Sequence, residues 1–573
     1  MTTIVELDVN NYRGIKKLNL VLEHDKRLVC IIGRGDSGKT TILESISAVL
    51  SPSWNLAFSD EDFYNGELSK DIEISLSIVD FPDKYLADNN YGLHVRSLDL
   101  KTGKIEDDVT VPEVGKGFLP VLTIKLTVDS FLEPKWVVTC NREIEDKPIS
   151  AKDRANLNCF LISDYIDKHF SWNRGSPLNA ILNLEDTEGV IDDNVIIEQL
   201  RKAKAEIDKN NFIGLDDATK RIIEQAEVLG INASNIRTTL DSKDLLVKSG
   251  KIVLHDESVP YRLKGKGTKR LTSIAIQSIL VRKGGIMLVD EIEQGLEPDR
   301  VKQAVRALDT HDAGQIFLTT HSREVITELG SQPLLFVLRN ELDDSIETRL
   351  FSERELDLQK TVRACPEAFF AKKVIVCEGA TEIGICRAID KWRGQTGKSH
   401  MALLDCAYVD GVGNTIDVRV DEIEQSGIQT AIFCDSDLPK INEKKEGWAS
   451  RGVAVFDCDE GLCLEQQLFK DLPWQGVLEL LNYASAQAPS SFEGVFIEQK
   501  GSAINDWKDT KELRTTIMSK FKPSRDGNLK RDWFKQQHHG EKIGDVLFEH
   551  FNYLDSESSL YKTISGISNW IDS

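Results

Sequence analysis

Residues 33–40 read Gly33-Arg34-Gly35-Asp36-Ser37-Gly38-Lys39-Thr40, a complete GxxxxGK[ST] turn. It lies between the apolar run Leu28-Val29-Cys30-Ile31-Ile32 and the helix-like Thr41-Ile42-Leu43-Glu44-Ser45-Ile46. A buried strand that passes through a glycine-rich turn into a helix N-terminus gathers backbone N–H groups around a polyphosphate. In such a loop Gly33, Gly35, Ser37 and Gly38 shape the cradle and Thr41 opens the helix. Lys39 reaches the β- and γ-phosphates, and Thr40 turns its hydroxyl to Mg²⁺. The first expectation is an ATP-binding α/β unit.

The chain around this loop is too long for one core: 573 residues suggest roughly two to four domains. A hydrophobic fraction of 40% beside 29% charged residues is that of an ordinary globular protein. No apolar run approaches the ~20 residues that span a bilayer, and Met1-Thr2-Thr3-Ile4-Val5-Glu6 has no basic segment ahead of an apolar one. Ten scattered cysteines, with no CxxC pair, read as reduced thiols of a cytoplasmic protein. The formal charge of −22 argues against a whole surface that coats nucleic acid, though a local basic face beside metal-binding carboxylates stays compatible with DNA.

Ahead of the loop, Ile4-Val5-Glu6-Leu7-Asp8-Val9 and Leu18-Asn19-Leu20-Val21-Leu22 alternate as strands around Asn11-Tyr12-Arg13-Gly14. Downstream, Ile286-Met287-Leu288-Val289-Asp290-Glu291 is an apolar strand ending in two carboxylates. This is a Walker B arrangement, in which Asp290 holds Mg²⁺ and Glu291 polarises the attacking water. Asn-Tyr-Arg-Gly before a phosphate loop resembles the RecF/SMC/ABC branch of ATPases, which sandwich nucleotide between two heads. The resemblance makes His321, in Thr319-Thr320-His321-Ser322, the switch histidine that senses the γ-phosphate. It also places a signature element at Leu263-Lys264-Gly265-Lys266-Gly267-Thr268-Lys269-Arg270, with Gly265 and Gly267 facing nucleotide; a lysine-rich surface loop is the other reading.

Residues 71–80 and 121–128 alternate as strands of an antiparallel lobe, and Ser59-Asp60-Glu61-Asp62-Phe63 reads as an acidic loop. Between 150 and 240, apolar residues recur at helical spacing through Ile191, Val195, Ile196 and Leu200, then Ile222, Ile223, Ala226 and Leu229. We read 1–149 and 241–350 as two parts of the ATPase, 150–240 as a helical insertion that dimerises, and 351–370 as a linker.

A second chemistry begins at 371. Val374-Ile375-Val376-Cys377-Glu378-Gly379-Ala380-Thr381-Glu382 is a buried strand ending in Glu-Gly, and Thr430-Ala431-Ile432-Phe433-Cys434-Asp435-Ser436-Asp437 is another ending in Asp-x-Asp. If the two strands are parallel, their acidic tips meet at one carboxyl edge, where open α/β sheets bind ligands. Glu378, Asp435 and Asp437 then form an oxygen cage for Mg²⁺ or Mn²⁺, with Glu382 one helical turn beyond Glu378. This pair of elements resembles the Toprim fold. Joined to the ATPase, it is similar to the OLD (overcoming lysogenisation defect) family of ATP-dependent endonucleases, which includes the Gabija nuclease subunit and retron-linked nucleases.

That resemblance implies a further carboxylate for a second metal, Glu460 or Glu465, and a catalytic lysine at Lys542 in His538-His539-Gly540-Glu541-Lys542. Lys511, Arg514, Lys520, Lys522, Arg525, Lys530, Arg531, Lys535 and Lys542, interleaved with Trp533 and Phe534, suggest a DNA-backbone surface in 371–573. A solvated basic face is the alternative. The expectation is an α/β chain, an ABC/RecF-type ATPase with a helical insertion followed by a Toprim domain. The resemblance further implies a homo-oligomeric DNA endonuclease of anti-phage defence, working with a companion protein. A sensor whose Toprim unit binds without cutting is the rival.

Overall fold

The structure, a computed structural model, describes residues 2–107, 117–172, 175–184, 253–309, 314–340, 342–350, 358–437, 439–497, 501–522 and 534–573, with short helical pieces between 198 and 222. The chain forms two compact units: residues 1–29 with 40–319, and residues 30–39 with 320–573. Most of 185–252, including Ile191, Val195, Ile196, Leu200, Ile223, Ala226 and Leu229, lies outside the described residues, as do Arg525, Lys530, Arg531 and Trp533. No described helix is long and apolar enough to cross a membrane.

In the first unit an antiparallel lobe runs in the order Ile15–Val21, Thr3–Tyr12, Ile72–Val79, Phe118–Val128, Arg96–Asp99. Period-two alternation fixes its register: Ile72, Ile74, Leu76 and Ile78 are wholly buried, as are Leu122, Ile124, Leu126 and Val128 on the neighbouring strand. Three parallel strands, Cys159–Ile162, Ile286–Val289 and Gln315–Thr319, carry the Walker B edge. They are uninterrupted apolar runs because parallel strands are covered on both faces. Cys159–Ile162 corrects the boundary drawn at 150: the ATPase sheet takes a strand from inside 150–240. A four-residue apolar run is too short to show either period.

In the second unit, Leu334–Arg339 pairs parallel to the strand entering the phosphate loop, Leu334 opposite Cys30 and Phe336 opposite Ile32. A separate four-stranded parallel sheet has the order Cys406–Asp410, Lys373–Cys377, Gln429–Phe433, Ala454–Phe456. Its first strand in sequence lies between the second and the third, so the winding direction reverses there. Crevices at such a reversal, outside the carboxyl ends of the strands, are where ligands bind. Cys377 pairs with both Asp410 and Phe433, so Glu378, Gly411 and Cys434-Asp435 emerge at one level.

Candidate active site

Each acid at that edge is fixed by the turn it sits on. Glu378 follows its strand directly: its N–H donates to Phe433 O at 2.9 Å, and its Oε2 accepts from Asp435 N at 2.8 Å. Glu382, on the helix Ala380–Gln395, turns back to accept from Gly379 N at 2.9 Å. That capping contact buries its carboxyl to 4% exposure. Asp435 is 5% exposed and its Oδ1 accepts from Leu464 N at 2.8 Å, at the start of the helix Leu464–Asp471. The next residue of that helix, Glu465, is 1% exposed, and neither of its oxygens takes a well-directed hydrogen bond.

The cation in this nest is Lys535, whose Nζ stands 2.9 Å from Glu465 Oε1. It arrives from a distant segment because Thr381 Oγ1 donates to Phe534 O at 2.8 Å. The helix Gln537–Glu549 then packs backbone to backbone on Ala380–Gln395: a Cβ on Gly540 would lie 2.9 Å from Gly384 Cα and run into Thr381 O. Arg387–Glu541 and Lys391–Asp545 ion pairs, at 2.8 and 2.7 Å, flank the crossing.

Crowding of carboxyls in a buried pocket sets their protonation. Burial, then Glu465, pushes Glu382 up to about 7, with Lys535 pulling the other way. Burial raises Glu378 as well, opposed by the Asp435 N–H and reinforced by Asp437. Asp435 is raised well above the carboxylate range by burial, Glu382 and Glu465. Burial works against the charge of Lys535, yet Glu465, Asp435 and Glu382 outweigh it and hold the ammonium charged.

Of the residues expected from sequence, Glu378, Glu382, Asp435 and Glu465 converge, and Asp437 is half-buried on the same turn. Glu460 is exposed, so of the two alternatives Glu465 is the one brought in. Lys542 is also exposed, and the ammonium that stands beside one of these acids is that of Lys535. Sequence did contain Lys535, within the basic run read as a DNA surface. Arg514 leaves that surface too: it pairs with Asp509, stacks on Trp474 and donates to the carbonyls of Phe469, Lys470 and Leu472.

An all-carboxylate donor set suits a hard divalent cation. Among the described residues no three acidic, His or Cys side chains stand as a finished metal cage. The buried carboxylate of Glu465, with the Lys535 ammonium beside Oε1 and no well-directed hydrogen bond at either oxygen, nevertheless fits such an ion.

In the first unit the Walker B tip is built around Thr319. Its Oγ1 donates to Asp290 Oδ1 at 2.6 Å and accepts from Glu291 N at 2.7 Å. Thr40 Oγ1 donates to the same Asp290 oxygen at 3.0 Å, so the pair assigned to Mg²⁺ is adjacent, and Thr41 follows on the helix Lys39–Val49. Thr319, unassigned from sequence, sits inside the quoted Thr-Thr-His-Ser stretch. Gly265 caps the helix Lys266–Val281, and Gly267 lies so close to Gly295 that a Cβ would strike its carbonyl. Arg270 on that helix is 2% exposed and donates to Gln294 Oε1 at 3.0 Å, with Gln294 Nε2 donating to Asp164 Oδ1 at 2.6 Å. The helix Lys266–Val281 is thereby fastened to the segment after Asp290-Glu291.

In the second unit, Lys39 Nζ donates to Gly33 O at 3.0 Å and to Arg34 O. Gly33 and Gly38 have φ of +146° and +93°, which L side chains rarely adopt, whereas Gly35 faces open space. Ser37 is buried, and His321 is exposed with its ring 6.4 Å from that of Phe370.

Residues 28–327, more than half of the chain, match the family described as AAA domain, putative AbiEii toxin, Type IV TA system. Residues 369–437 match the Overcoming lysogenization defect protein-like TOPRIM domain. The chain is 22% identical to the OLD nuclease of Thermus scotoductus over 481 residues, 77% of this chain and 83% of that protein. It is also 22% identical to the DNA replication and repair protein RecF of Leptospira interrogans over 384 residues, 59% of this chain and 98% of that one. Among solved structures, the Smc head domain of Pyrococcus furiosus bound to the C-terminal domain of ScpA is similar at 14% identity and a TM-score of 0.37, covering 63% of this chain and all of that one. So low a score fixes no fold, and the ATPase architecture rests on the family match and on the strands described above. The chain belongs to this AAA-domain family and carries, at residues 369–437, an OLD-like TOPRIM domain.

Proposed function

We propose that this protein is an ATP-regulated, divalent-metal-dependent DNA endonuclease. The observation that carries the reading is the convergence of Glu378, Glu382, Asp435 and Glu465 on one sheet edge with the Lys535 ammonium among them. Glu378, Asp435 and Asp437 would hold Mg²⁺ or Mn²⁺, with Glu382 and Glu465 completing the donor set. Such an ion supplies an activated water and neutralises charge on a phosphodiester. Glu378 and Asp435 keep their oxygens turned to the edge through the backbone bonds described. Lys535 is positioned to stabilise the negative charge that builds on the phosphoryl oxygens as water adds and the ester oxygen departs. The rival sensor reading is disfavoured because all three primary acids are retained.

In the ATPase we assign nucleotide binding to the phosphate loop, Mg²⁺ to Thr40 and Asp290, and water activation to Glu291. His321 senses the γ-phosphate, and Gly265 and Gly267 cap the nucleotide of a second copy, which makes the working form a dimer or larger homo-oligomer in the cytoplasm. The names of the matched families support a role in prokaryotic defence against phage, with a companion protein as a further element.

The test is conversion of supercoiled plasmid to nicked or linear forms with Mg²⁺ or Mn²⁺, with and without ATP. Glu378→Ala abolishes conversion, and Lys39→Ala reveals whether nucleotide licenses or restrains it. Intact ATP hydrolysis with no cutting in any lane, partner and trigger absent, sends the assignment to the sensor.

The raised Glu382 adds a pH signature. An acid whose folded pKa lies above its unfolded value near 4.5 stabilises the fold while protonated, fully below 4.5, and that contribution is lost as pH rises through about 7. The metal-free protein should therefore melt lower at pH 8 than at pH 5.5 by more than Glu382→Gln does, read by scanning calorimetry. By the same sign, Mn²⁺ uptake at pH 6 releases protons that it does not release at pH 8.5.

A further inference from the structure

Between two of the assigned acids stands a residue whose every polar atom is bonded. Ser436, the centre of Asp435-Ser436-Asp437, is 2% exposed. Its N–H donates to Leu462 O at 3.0 Å, and its carbonyl accepts from Gly461 N at 3.1 Å and from Asn442 Nδ2 at 2.9 Å. Its hydroxyl donates to Cys458 O at 2.8 Å. The Asp-x-Asp turn is thus pinned at its centre to the segment that follows the strand Ala454–Phe456 and to the helix Pro439–Ser450.

One cation joins these pieces. Lys445, on that helix, donates from Nζ to Ser436 Oγ at 2.9 Å and to Asp457 Oδ2 at 2.6 Å, and the same Asp457 oxygen lies 3.2 Å from the Ser436 hydroxyl. Asp457 directly follows Phe456, which pairs with Phe433, so it leaves its strand at the level of Cys434 and adds a carboxylate to the edge that carries Asp435. Lysine is ordinarily a solvated residue, yet the Lys445 side chain is only 17% exposed. Its neighbour Lys444 pairs with Asp417 at 2.8 Å and Asp421 at 3.3 Å, neither of which belongs to the turn.

We propose that Lys445 is a positioning residue of the carboxylate edge: by bonding Ser436 and Asp457 together it fixes the turn that carries Asp435 and Asp437, and so prepares their carboxylates for a divalent cation. This rests on the reading of Glu378, Asp435 and Asp437 as the ligands of that ion. Groups that hold a metal's ligands in place commonly govern its affinity by roughly 10–100-fold. Charge acts the other way. An ammonium near the edge repels a divalent cation, so its removal by charge alone would tighten binding. The sign of the change therefore separates a positioning role from a purely electrostatic one.

Calorimetric titration of the full, nucleotide-free chain with Mn²⁺ is the test, and Glu378→Ala marks the part of the signal that belongs to this edge. Lys445→Met, which keeps the stem and removes the donors, is expected to weaken that part by about tenfold or more, while Lys444→Met stays within about twofold of the parent. Ser436→Ala removes the same joint from its other end. It is expected to weaken Mn²⁺ binding similarly, and the double variant little more than either single one, because groups of one network do not add. Tighter or unchanged binding in Lys445→Met, equal losses at Lys444 and Lys445, or additive losses with Ser436→Ala overturn the positioning role. Should Lys445→Met melt well below the parent, Lys445→Gln is held to the same outcomes. No loss in Glu378→Ala strikes instead at the metal reading itself, and the positioning role falls with it.

Discussion

Lys535→Ala lowers metal-dependent plasmid cleavage by about 10²–10³-fold, the usual loss when one stabiliser of a developing oxyanion is removed, while Lys542→Ala leaves it within about twofold. The difference follows from place. The Lys535 side chain is itself 37% exposed, but its ammonium stands 2.9 Å from a carboxylate that is 1% exposed, whereas Lys542 is exposed on the next helix. A charge inside an acidic nest also changes the acids around it. Without the ammonium, Glu382 and Asp435 lose the attraction that opposes their burial, so their protons are held to still higher pH. Cleavage by Lys535→Ala is therefore expected to recover partly as pH rises, and Lys535→Arg to retain more activity than Lys535→Ala at every pH. Initial rates at saturating Mn²⁺ between pH 6.5 and 9 provide the comparison. Equal losses for the two lysines would remove Lys535 from the chemistry.

Gly540→Ala destabilises the fold by about 2–3 kcal/mol or more, since overpacking a close-fitted contact typically costs about 1–3 kcal/mol and this one meets backbone that cannot rotate away. A methyl there strikes Thr381 O and the Gly384 Cα, while one on Gly544 strikes the Ala388 Cβ. The same helix pair brings in Phe534 and hence Lys535, so the variant loses cleavage beyond its loss of stability. Gly447→Ala is the matched control. Gly447 lies within the helix Pro439–Ser450 with nothing within 4 Å of a new Cβ. Alanine in such an open helical position is expected to stabilise by about 0.5–1 kcal/mol. Urea midpoints for the two variants should move in opposite directions.

The contrast between these lysines shows where sequence reading reaches and where it stops. Glu378 and Asp435 were legible because each ends an apolar run, and parallel pairing with matched register carries strand ends to one edge whatever the intervening loops do. Lys535 was not assigned, although its residue type was noted, because its position depends on a hydrogen bond from the Thr381 hydroxyl to the Phe534 carbonyl, 153 residues apart. A local motif around Lys542 offered a substitute that the helix then turned outward. Between Glu460 and Glu465 the sequence held no distinction. The turn Asp459–Leu462 and the start of the helix Leu464–Asp471 decide which carboxylate faces inward. In the ATPase, Asp290 and Thr40 could be paired from motif alone, while the relay from buried Arg270 through Gln294 to Asp164 could not, because nothing in residue spacing says which face of a helix a charged side chain will occupy.

Glu291 ends the Walker B strand with φ at +46°, a left-handed conformation that a β-carbon disfavours by about 1–2 kcal/mol. The bend is held by the Thr319 hydroxyl that accepts the Glu291 N–H. The residue assigned to water activation is thus also one that the backbone would rather not have there. Glycine or asparagine at 291 would relax the turn. Glu291→Asn is accordingly expected to raise the melting temperature while it removes the carboxylate assigned to hydrolysis.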